Sequence, residues 1–273
     1  MKKIAVIGAG GFVGKGLLEI FDASGVECIA VGRESPLPSV ALDAVIDCNG
    51  EGRRFWCNQY PKGSYQRNVE SVQMRLNRLS SDVYVYISTV DVYGNGRAAL
   101  TTSREDTEIP VGSLDTYGLH KYQAECMVLQ HARRPLVLRC GTVIGPGLRK
   151  NPVFDMLNDA PLRMTDESSL NLIRLETLSG ALQQLLSKAC SGIYNIAASA
   201  PATIADIRSI IAEYRGTSPE DMLEHEEKIT INYAVNAEKI SALLDMPTSE
   251  EALRTFLEAD VTLQAAPENL YER

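Results

Sequence analysis

The sequence predicts an α/β fold built on a doubly wound parallel sheet, followed by a small, mostly helical C-terminal lobe. A short apolar strand at Ile4–Ile7 runs directly into a glycine-rich turn and then into a helical pattern. Strand and helix patterns alternate as far as about residue 147, which is typical of parallel strands joined by right-handed crossovers. Amphipathic helical patterns dominate the chain after residue 203.

The turn after the first strand has the features of a phosphate-binding turn. Gly8 permits a tight turn, Gly11 lets the backbone approach a pyrophosphate, and Gly14 lets the helix pack close to the strand. The N-terminus of that helix offers free N–H groups to phosphate. These features indicate a Rossmann-like dinucleotide-binding fold. The predicted cofactor contacts in this turn are Gly8, Gly11, Phe12, Val13 and Gly14.

The end of the second strand bears on which dinucleotide is bound. In V-E-C-I-A-V-G-R the strand ends in Gly32 and Arg33, where a cofactor with a free 2′-hydroxyl usually meets an acidic residue. A guanidinium suits a 2′-phosphate. Glu34 follows directly, and a solvated surface charge is the alternative role for Arg33. We expect NADP(H) to be favoured over NAD(H).

A second group of polar residues follows a later strand. Residues 83–87 form an apolar strand pattern that leads into S-T-V-D-V-Y-G, which contains Thr89 and Asp91. Ligands of open α/β sheets lie beyond the carboxyl ends of the strands, so these side chains are expected at the active site. Tyr117 and Lys121 follow on a helical pattern, and their spacing of four puts both side chains on one face.

This group suits a reaction that moves a hydride and a proton. A phenol with a pKa near about 10 is a poor base at neutral pH, but a nearby ammonium and a positive nicotinamide favour the phenolate. Tyr117 would exchange a proton with a substrate hydroxyl or carbonyl while the nicotinamide exchanges the hydride. Lys121 would hold the cofactor ribose and tune Tyr117, and Thr89 would hydrogen-bond the reacting oxygen.

In this order the motifs resemble those of the extended short-chain dehydrogenases/reductases, in particular their nucleotide-sugar epimerase/dehydratase group. The resemblance covers most of the chain. It includes the glycine turn at 8–14, R-N-V-E-S-V, S-T-V-D-V-Y-G, Y-G-L-H-K, L-R-C-G-T-V-I-G-P-G at 138–147, and G-I-Y-N-I-A at 192–197. It implies that Thr89, Tyr117 and Lys121 are the catalytic residues and that Asn49 or Gly50 passes near the cofactor.

The chain departs from that family at the substrate side. Dehydratases of the family carry an acidic pair after the catalytic Thr, whereas here Val90 breaks the pair and only Asp91 remains. Asp91 either acts as a base, as a single Glu does in some dehydratases and decarboxylases, or caps the turn. Thr142 stands where many members have an Asn that contacts the substrate diphosphate. Arg149, followed by Lys150, is a candidate for a positive patch or an ordinary solvated loop.

The predicted function is that of an NAD(P)-dependent oxidoreductase acting on a sugar, most simply a nucleotide-linked sugar, as 4-keto reductase or epimerase. Arg33 favours a reductase, because an NADPH enzyme reduces its substrate whereas an epimerase retains NAD⁺ and recycles the hydride. Three alternatives stay open. They are a dehydratase or decarboxylase that uses Asp91, a reductase of another carbonyl substrate, and a regulator that senses NADP without catalysis.

Composition excludes several classes of partner. The 273 residues carry a net charge of −8, which argues against nucleic acid and against an anionic membrane surface. No apolar run approaches the roughly 20 residues that span a bilayer, and no signal-peptide pattern opens the chain. The six Cys and three His show no metal-ligand spacing. We expect a cytoplasmic protein with a small-molecule substrate and no metal.

The chain is expected to divide into a body and a lobe. Residues 1–147 and about 171–198 would form the dinucleotide-binding body, and about 148–170 and 199–273 the substrate-binding lobe, whose last ten residues would fray. Residues 50–66 do not continue a regular helical or strand repeat of apolar residues, and they are predicted to form a loop anchored by Trp56. His120 is predicted to face solvent. The apolar face of residues 123–129 is compatible with a homodimer and with burial in the monomer.

Overall fold

The computed structural model describes residues 3–94, 97–99 and 103–259. The strands are β1 (Ile4–Ile7), β2 (Cys28–Val31), β3 (Leu42–Asp47), β4 (Ser81–Thr89), β5 (Arg97–Ala98), β6 (Pro135–Cys140), β7 (Thr142–Ile144), β8 (Leu162–Met164), β9 (Ser169–Leu170), β10 (Leu172–Arg174), β11 (Gly192–Ile196), β12 (Ala202–Thr203), β13 (Glu224–Ile229) and β14 (Asn232–Tyr233). The helices are α1 (Phe12–Ala23), α2 (Arg54–Gln59), α3 (Pro61–Tyr65), α4 (Ser71–Arg78), α5 (Thr116–His131), α6 (Pro152–Leu157), α7 (Leu175–Ser187), α8 (Ile204–Arg215), α9 (Glu238–Ser241) and α10 (Ser249–Ala259).

A parallel sheet of six strands in the order β11-β6-β4-β3-β1-β2 forms the centre of the molecule. The chain runs from β1 outward to β2, then returns past β1 to β3 and continues to the other edge. The strand order therefore reverses between β1 and β3, and ligands of doubly wound sheets bind in the crevice at such a point. This topology confirms the predicted fold class.

Helices cover both faces of the sheet. On one face α1 and α7 pack through apolar residues that include Leu17 and Leu182. On the other face α4 and α5 contribute Val72 and Val128 to a separate core cluster. Strands covered on both sides must be apolar throughout, and every residue of β1 is buried. Among the helices in the described ranges, none is long and apolar enough to cross a membrane.

A third core cluster lies in the predicted lobe, where α6, α8 and α10 pack through residues that include Phe154, Ile207 and Leu253. Short strands accompany these helices: β13 pairs with β8, and β14 pairs with β5 and β9. The boundaries of body and lobe stay a prediction. Residues 260–273, including the tail that was expected to fray, lie outside the described residues.

The prediction of a loop over residues 50–66 was wrong, because α2 and α3 form there. Pro61 starts α3 at a position where a missing N–H costs nothing. Trp56 is held by packing: its ring stacks under the Arg67 guanidinium at 4.3 Å and lies 5.3 Å from the Tyr60 ring. Both helices are too short to show an amphipathic period, and contacts with α5 stabilise them instead.

The prediction that His120 faces solvent was also wrong. Only 8% of this residue is exposed, and its Nδ1 lies 2.8 Å from Ser64 Oγ. Tyr117 precedes His120 by three residues in α5, so His120 lies on an adjoining face of the helix. That face is covered by α3, which the sequence pattern did not reveal.

Candidate active site

A cavity of about 510 Å³ opens at the carboxyl edge of the sheet. Its walls come from the glycine turn, from residues that follow β3, from the end of β4, and from α5. The structure brings most of the predicted site residues together on these walls, namely Phe12, Val13, Asn49, Thr89, Asp91, Tyr117, Lys121 and Thr142.

The glycine turn fits closely against the neighbouring backbone. Gly8 has a φ of +80°, and a Cβ on it would lie 2.9 Å from the Asn49 backbone nitrogen. A Cβ on Gly14 would lie 2.3 Å from the carbonyl oxygen of Gly8. Any side chain at either position would push the turn apart. The close approach of Gly8 and Asn49 brings β1 and β3 together where the strand order reverses.

Tyr117 stands at the start of α5 and lines the same cavity as Thr89. Asp115 caps this helix, since its Oδ1 accepts a bond from the Gly118 N–H at 2.9 Å. Thr89 ends β4, and its Oγ1 accepts a bond from the Asp91 N–H at 3.2 Å. Burial raises the pKa of Tyr117, and the Asp91 charge raises it further. Tyr117 is therefore a neutral phenol in the cofactor-free protein.

Lys121 lies one turn further along α5 and is 6% exposed. Its Nζ donates a hydrogen bond of 2.8 Å to the Ile87 carbonyl and lies 4.1 Å from the centre of the Tyr86 ring. Burial lowers the pKa of Lys121 to about 8, and the Asp47 charge opposes this shift. The ammonium is thus fixed at the end of β4, on the same wall of the cavity as Thr89.

Asp91 is enclosed by partners. Its Oδ2 accepts a bond from Thr89 Oγ1 at 3.0 Å, and its Oδ1 accepts one from the Tyr233 hydroxyl at 2.6 Å. The Arg54 guanidinium lies 3.5 Å from the same Oδ1 and also bonds Asp115. Burial raises the pKa of Asp91, and Arg54 opposes this. Arg54 thereby connects the end of β4 with the start of α5.

Sequence reasoning missed both Arg54 and Tyr233. Arg54 lies in the segment that was taken for a loop, and Tyr233 lies 142 residues from Asp91 in the chain. No local pattern links positions so far apart.

A buried ion pair lies behind the active-site wall. Arg139 and Glu125 are 2% and 0% exposed, and the guanidinium donates to both carboxylate oxygens of Glu125. Glu125 Oε1 also accepts a bond from Ser88 Oγ, and Arg139 donates to the Tyr93 hydroxyl at 3.0 Å. Glu125 follows Lys121 by four residues, so the helical spacing that linked Tyr117 to Lys121 would also have indicated it.

A second cavity of about 630 Å³ adjoins the first. Asn49, Gly50 and Glu51 line both cavities and so form the wall between them. The second cavity is bounded by Gly8 and by a group of arginines, namely Arg33, Arg67, Arg75 and Arg78. Arg75 pairs with the buried Asp47 at 2.7 Å, and Arg33 and Arg78 are exposed.

Arg149 and Lys150, which the sequence analysis gave together as a possible positive patch, differ in their relation to the first cavity. Both residues are exposed, but only Lys150 lines the first cavity. Among the described residues, no three His, Cys, Asp or Glu side chains form a group that could hold a metal ion.

Residues 4–159, more than half of the chain, match the family model of the NAD dependent epimerase/dehydratase family. The chain belongs to this family. The match confirms the resemblance inferred from the motifs, and with it an NAD(P)-dependent enzyme of the short-chain dehydrogenase/reductase type. No curated protein matches the chain significantly.

Solved structures of similar fold agree with this family. MoeE5 in complex with UDP-glucose and NAD is 21% identical with a TM-score of 0.78, over 94% of this chain and 97% of that chain. UDP-glucuronic acid 4-epimerase from Bacillus cereus, in complex with UDP-glucuronic acid and NAD, is 20% identical with a TM-score of 0.77, over 94% and 99%. RMD from Pseudomonas aeruginosa with NADPH is 21% identical with a TM-score of 0.74, over 94% and 98%.

Removing the charge of Glu125 should destabilise this family member strongly. Glu125→Gln leaves the Arg139 guanidinium buried without its counter-charge, so we expect the free energy of unfolding to fall by about 3 kcal/mol. Urea denaturation followed by circular dichroism measures this. Asp82→Asn breaks the exposed pair with Arg133 and serves as the matched control, with an expected loss below about 1 kcal/mol. Equal losses in the two variants would contradict the role of the buried pair.

Lys121 should make the stability of the cofactor-free protein depend on pH. Its pKa is about 8 when folded and near the ordinary value of 10.5 when unfolded. Between these values the unfolded chain binds a proton that the folded protein has released, so this contribution to stability rises with pH. From pH 8 to pH 10 we expect the parent to gain about 2 kcal/mol relative to Lys121→Met. Urea denaturation of both proteins at both pH values tests this, and a difference independent of pH would refute it.

Proposed function

We propose that the protein is an NADP(H)-dependent oxidoreductase that acts on a nucleotide-linked sugar as a 4-keto reductase or an epimerase. The observation that carries the proposal is the convergence of Thr89, Tyr117 and Lys121 in one cavity with the glycine turn. Hydride transfer at a carbinol or carbonyl carbon needs a proton donor or acceptor beside the site of a dinucleotide. In the proposed function, Tyr117 is the proton donor or acceptor and the glycine turn belongs to the dinucleotide site.

The three side chains have separate tasks in this proposal. Tyr117 gives a proton to the substrate carbonyl, or takes one from the substrate hydroxyl, as general acid or base. Thr89, which lines the same cavity as Tyr117, holds the reacting oxygen toward the Tyr117 hydroxyl. Lys121 binds the ribose of the cofactor and favours the phenolate when Tyr117 acts as a base. The nicotinamide, when bound, supplies or accepts the hydride.

The substrate class rests on the family and on its structural neighbours. Solved structures of similar fold contain UDP-glucose and UDP-glucuronic acid beside NAD. The cavity of this chain also has a cationic side chain on its wall, Lys150, which suits the phosphates of such a substrate.

The preference for NADP(H) rests on the second cavity. Arg33 and Arg78 line it together, and neither has an ion-pair partner among the described residues. Two exposed guanidiniums at the end of β2 and on α4 would neutralise a 2′-phosphate. A neighbour of similar fold, RMD, was solved with NADPH.

Asp91 fits a positioning role better than that of the base in a dehydratase or decarboxylase. Both of its carboxylate oxygens already accept hydrogen bonds, from Thr89 and Tyr233, and Arg54 lies beside it. A base must have an oxygen available to the substrate proton. Asp91 instead fixes Thr89 in place and joins the end of β4 to β14.

Replacing the phenol should abolish turnover without harming cofactor binding. We expect Tyr117→Phe to lower kcat by about 10²–10⁴-fold, since it removes the general acid or base. The dissociation constant for NADPH should stay within about twofold, because the hydroxyl is not needed to bind the cofactor. Turnover is measured with a panel of nucleotide-linked 4-keto sugars and sugars, and binding by calorimetry.

Tyr122→Phe is the matched control, since Tyr122 lies on the same helix but outside the cavity lining. It should behave like the parent. If Tyr117→Phe retained parental turnover, Tyr117 would not be the acid or base. A parent that binds NADPH but transforms no member of the panel would favour a regulator instead.

Removing one guanidinium should weaken NADPH binding selectively. We expect Arg33→Ala to raise the dissociation constant of NADPH about tenfold or more and to leave that of NADH nearly unchanged, because only NADPH carries the 2′-phosphate. Calorimetric titration of the cofactor-stripped protein measures both constants. Arg163→Ala, an exposed arginine on β8, is the control. Equal weakening of NADH and NADPH would exclude Arg33 as the phosphate ligand.

A further inference from the structure

The ammonium of Lys121 is buried against the ring of Tyr86. Lys121 is 6% exposed, and Tyr86 is fully buried. The Nζ atom lies 4.1 Å from the centre of that ring and donates a hydrogen bond of 2.8 Å to the carbonyl of Ile87, the next residue of β4. An ammonium has three N–H donors. Since Lys121 also lines the active-site cavity, a donor stays available to a ligand there.

Among the described residues, no carboxylate forms an ion pair with this ammonium. The titratable groups that act on it from the surrounding elements are Asp47, Cys48, Glu125 and Cys140. Asp47 is paired with Arg75 at 2.7 Å. Glu125 is paired with Arg139 at 2.8 Å. A buried ammonium without a counter-ion of its own needs another source of stabilisation, and the electron-rich face of an aromatic ring supplies one.

The hydroxyl of Tyr86 does not explain why a tyrosine stands at this position. Its oxygen is buried and has no hydrogen-bond partner in the described part of the chain. A buried hydroxyl without a partner is unfavourable. The ring is therefore the part of Tyr86 that makes the favourable contact. It lies on β4, the same strand that ends at Thr89.

We propose that Tyr86 is a positioning residue for Lys121, whose ammonium it keeps charged and in place at the wall of the cavity. This inference rests on the proposed function for the tasks of Lys121, which are to bind the cofactor ribose and to tune Tyr117. The contact between ring and ammonium is nevertheless a property of the cofactor-free protein. Because only the ring is required, phenylalanine should serve as well as tyrosine at this position.

The pH dependence of stability tests the contact without any ligand. The pKa of Lys121 is about 8 in the folded protein, below its ordinary value of 10.5, so its contribution to stability rises with pH above about 8. Loss of the ring lowers the folded pKa further, so the rise should begin about one pH unit lower in Tyr86→Leu and at the parental pH in Tyr86→Phe. Urea denaturation at a series of pH values measures this, with each protein compared to the same protein carrying Lys121→Met.

A fluorinated ring separates the electronic effect from the loss of volume. Tyr86→Leu leaves a cavity in the core and lowers stability at every pH. Tyr86→trifluorophenylalanine keeps the shape of the ring but withdraws electrons from its face, which weakens the attraction for a cation. It should also move the start of the rise to lower pH, and it does so even where Tyr86→Leu is too unstable to measure. A rise that begins at the parental pH in the fluorinated variant would overturn the proposal.

Tyr194 and Lys239 provide the matched control, because they repeat the same contacts outside the site. The Nζ of Lys239 donates to the Ile193 carbonyl at 2.7 Å and lies 4.1 Å from the centre of the Tyr194 ring. Lys239 is exposed, and neither residue lines the two cavities. Tyr194→Leu should lower stability through packing alone and leave the start of the rise at the parental pH. A shift as large as that of Tyr86→Leu would also overturn the proposal.

Dinucleotide binding, measured by calorimetry, tests the link to the proposed function. NADH and NADPH share the ribose, so Tyr86→Leu and the fluorinated variant should weaken both about fivefold or more, whereas Tyr86→Phe should bind both as the parent does. In a Lys121→Met background these changes should cause no further loss, because the ring acts through the ammonium. An equal loss in that background would contradict the positioning role. A parent that binds neither dinucleotide would refute the proposed function, and the pH series would still decide the contact.

Discussion

The buried ion pair between Arg139 and Glu125 is the interaction on which the geometry of the site depends. Two charges withdrawn from water are costly, and only good geometry with further hydrogen bonds offsets that cost. Here the carboxylate accepts bonds from the guanidinium and from Ser88, while Tyr93 accepts one from the guanidinium. Ser88 directly precedes Thr89, and Glu125 lies on the helix that carries the tyrosine and the lysine. The pair therefore fixes the end of β4 against α5, and with it the relative positions of the predicted catalytic side chains.

The second constraint is the point where the strand order reverses. Residues 49–51 separate the two cavities, so a dinucleotide that occupies both must pass this segment. Asn68 holds the segment in place, because its side chain accepts a bond from the Glu51 N–H at 2.8 Å and donates one to the Glu51 carbonyl at 3.3 Å. Gly50 has a φ of +150°, and a Cβ on it would lie 2.6 Å from Asn68 Oδ1. This contact gives a physical reason for the asparagine in R-N-V-E-S-V.

Local patterns predicted the fold and part of the site, and long-range packing supplied the rest. The glycine turn and the pair of Tyr117 and Lys121 each involve residues that are close in sequence. The helical repeat and the chemistry of turns were therefore enough to predict them. Tyr233 contacts Asp91 from a distant part of the chain, and no repeat in the sequence indicates such a contact. His120 shows the limit within one helix: the helical repeat gives the position of a side chain around the helix, but not its cover, which α3 provides here. Sequence also could not separate Arg149 from Lys150, because loop direction depends on the folded backbone.

The electrostatics around Tyr117 favour the reductase side of the proposed function. In the cofactor-free protein, burial and the Asp91 charge both hold the phenol in its neutral form. Carbonyl reduction consumes a proton, so the neutral phenol is the form it needs, whereas oxidation of a hydroxyl needs the phenolate. An epimerase must both oxidise a hydroxyl and reduce a carbonyl in one turnover. For the oxidation, the bound nicotinamide cation and Lys121 would have to overcome the effects of burial and of the Asp91 charge on the pKa of Tyr117. Arg54 lies 3.5 Å from Asp91 and already offsets part of its charge, so the balance at Tyr117 is set by the whole group around Asp91 and not by Lys121 alone.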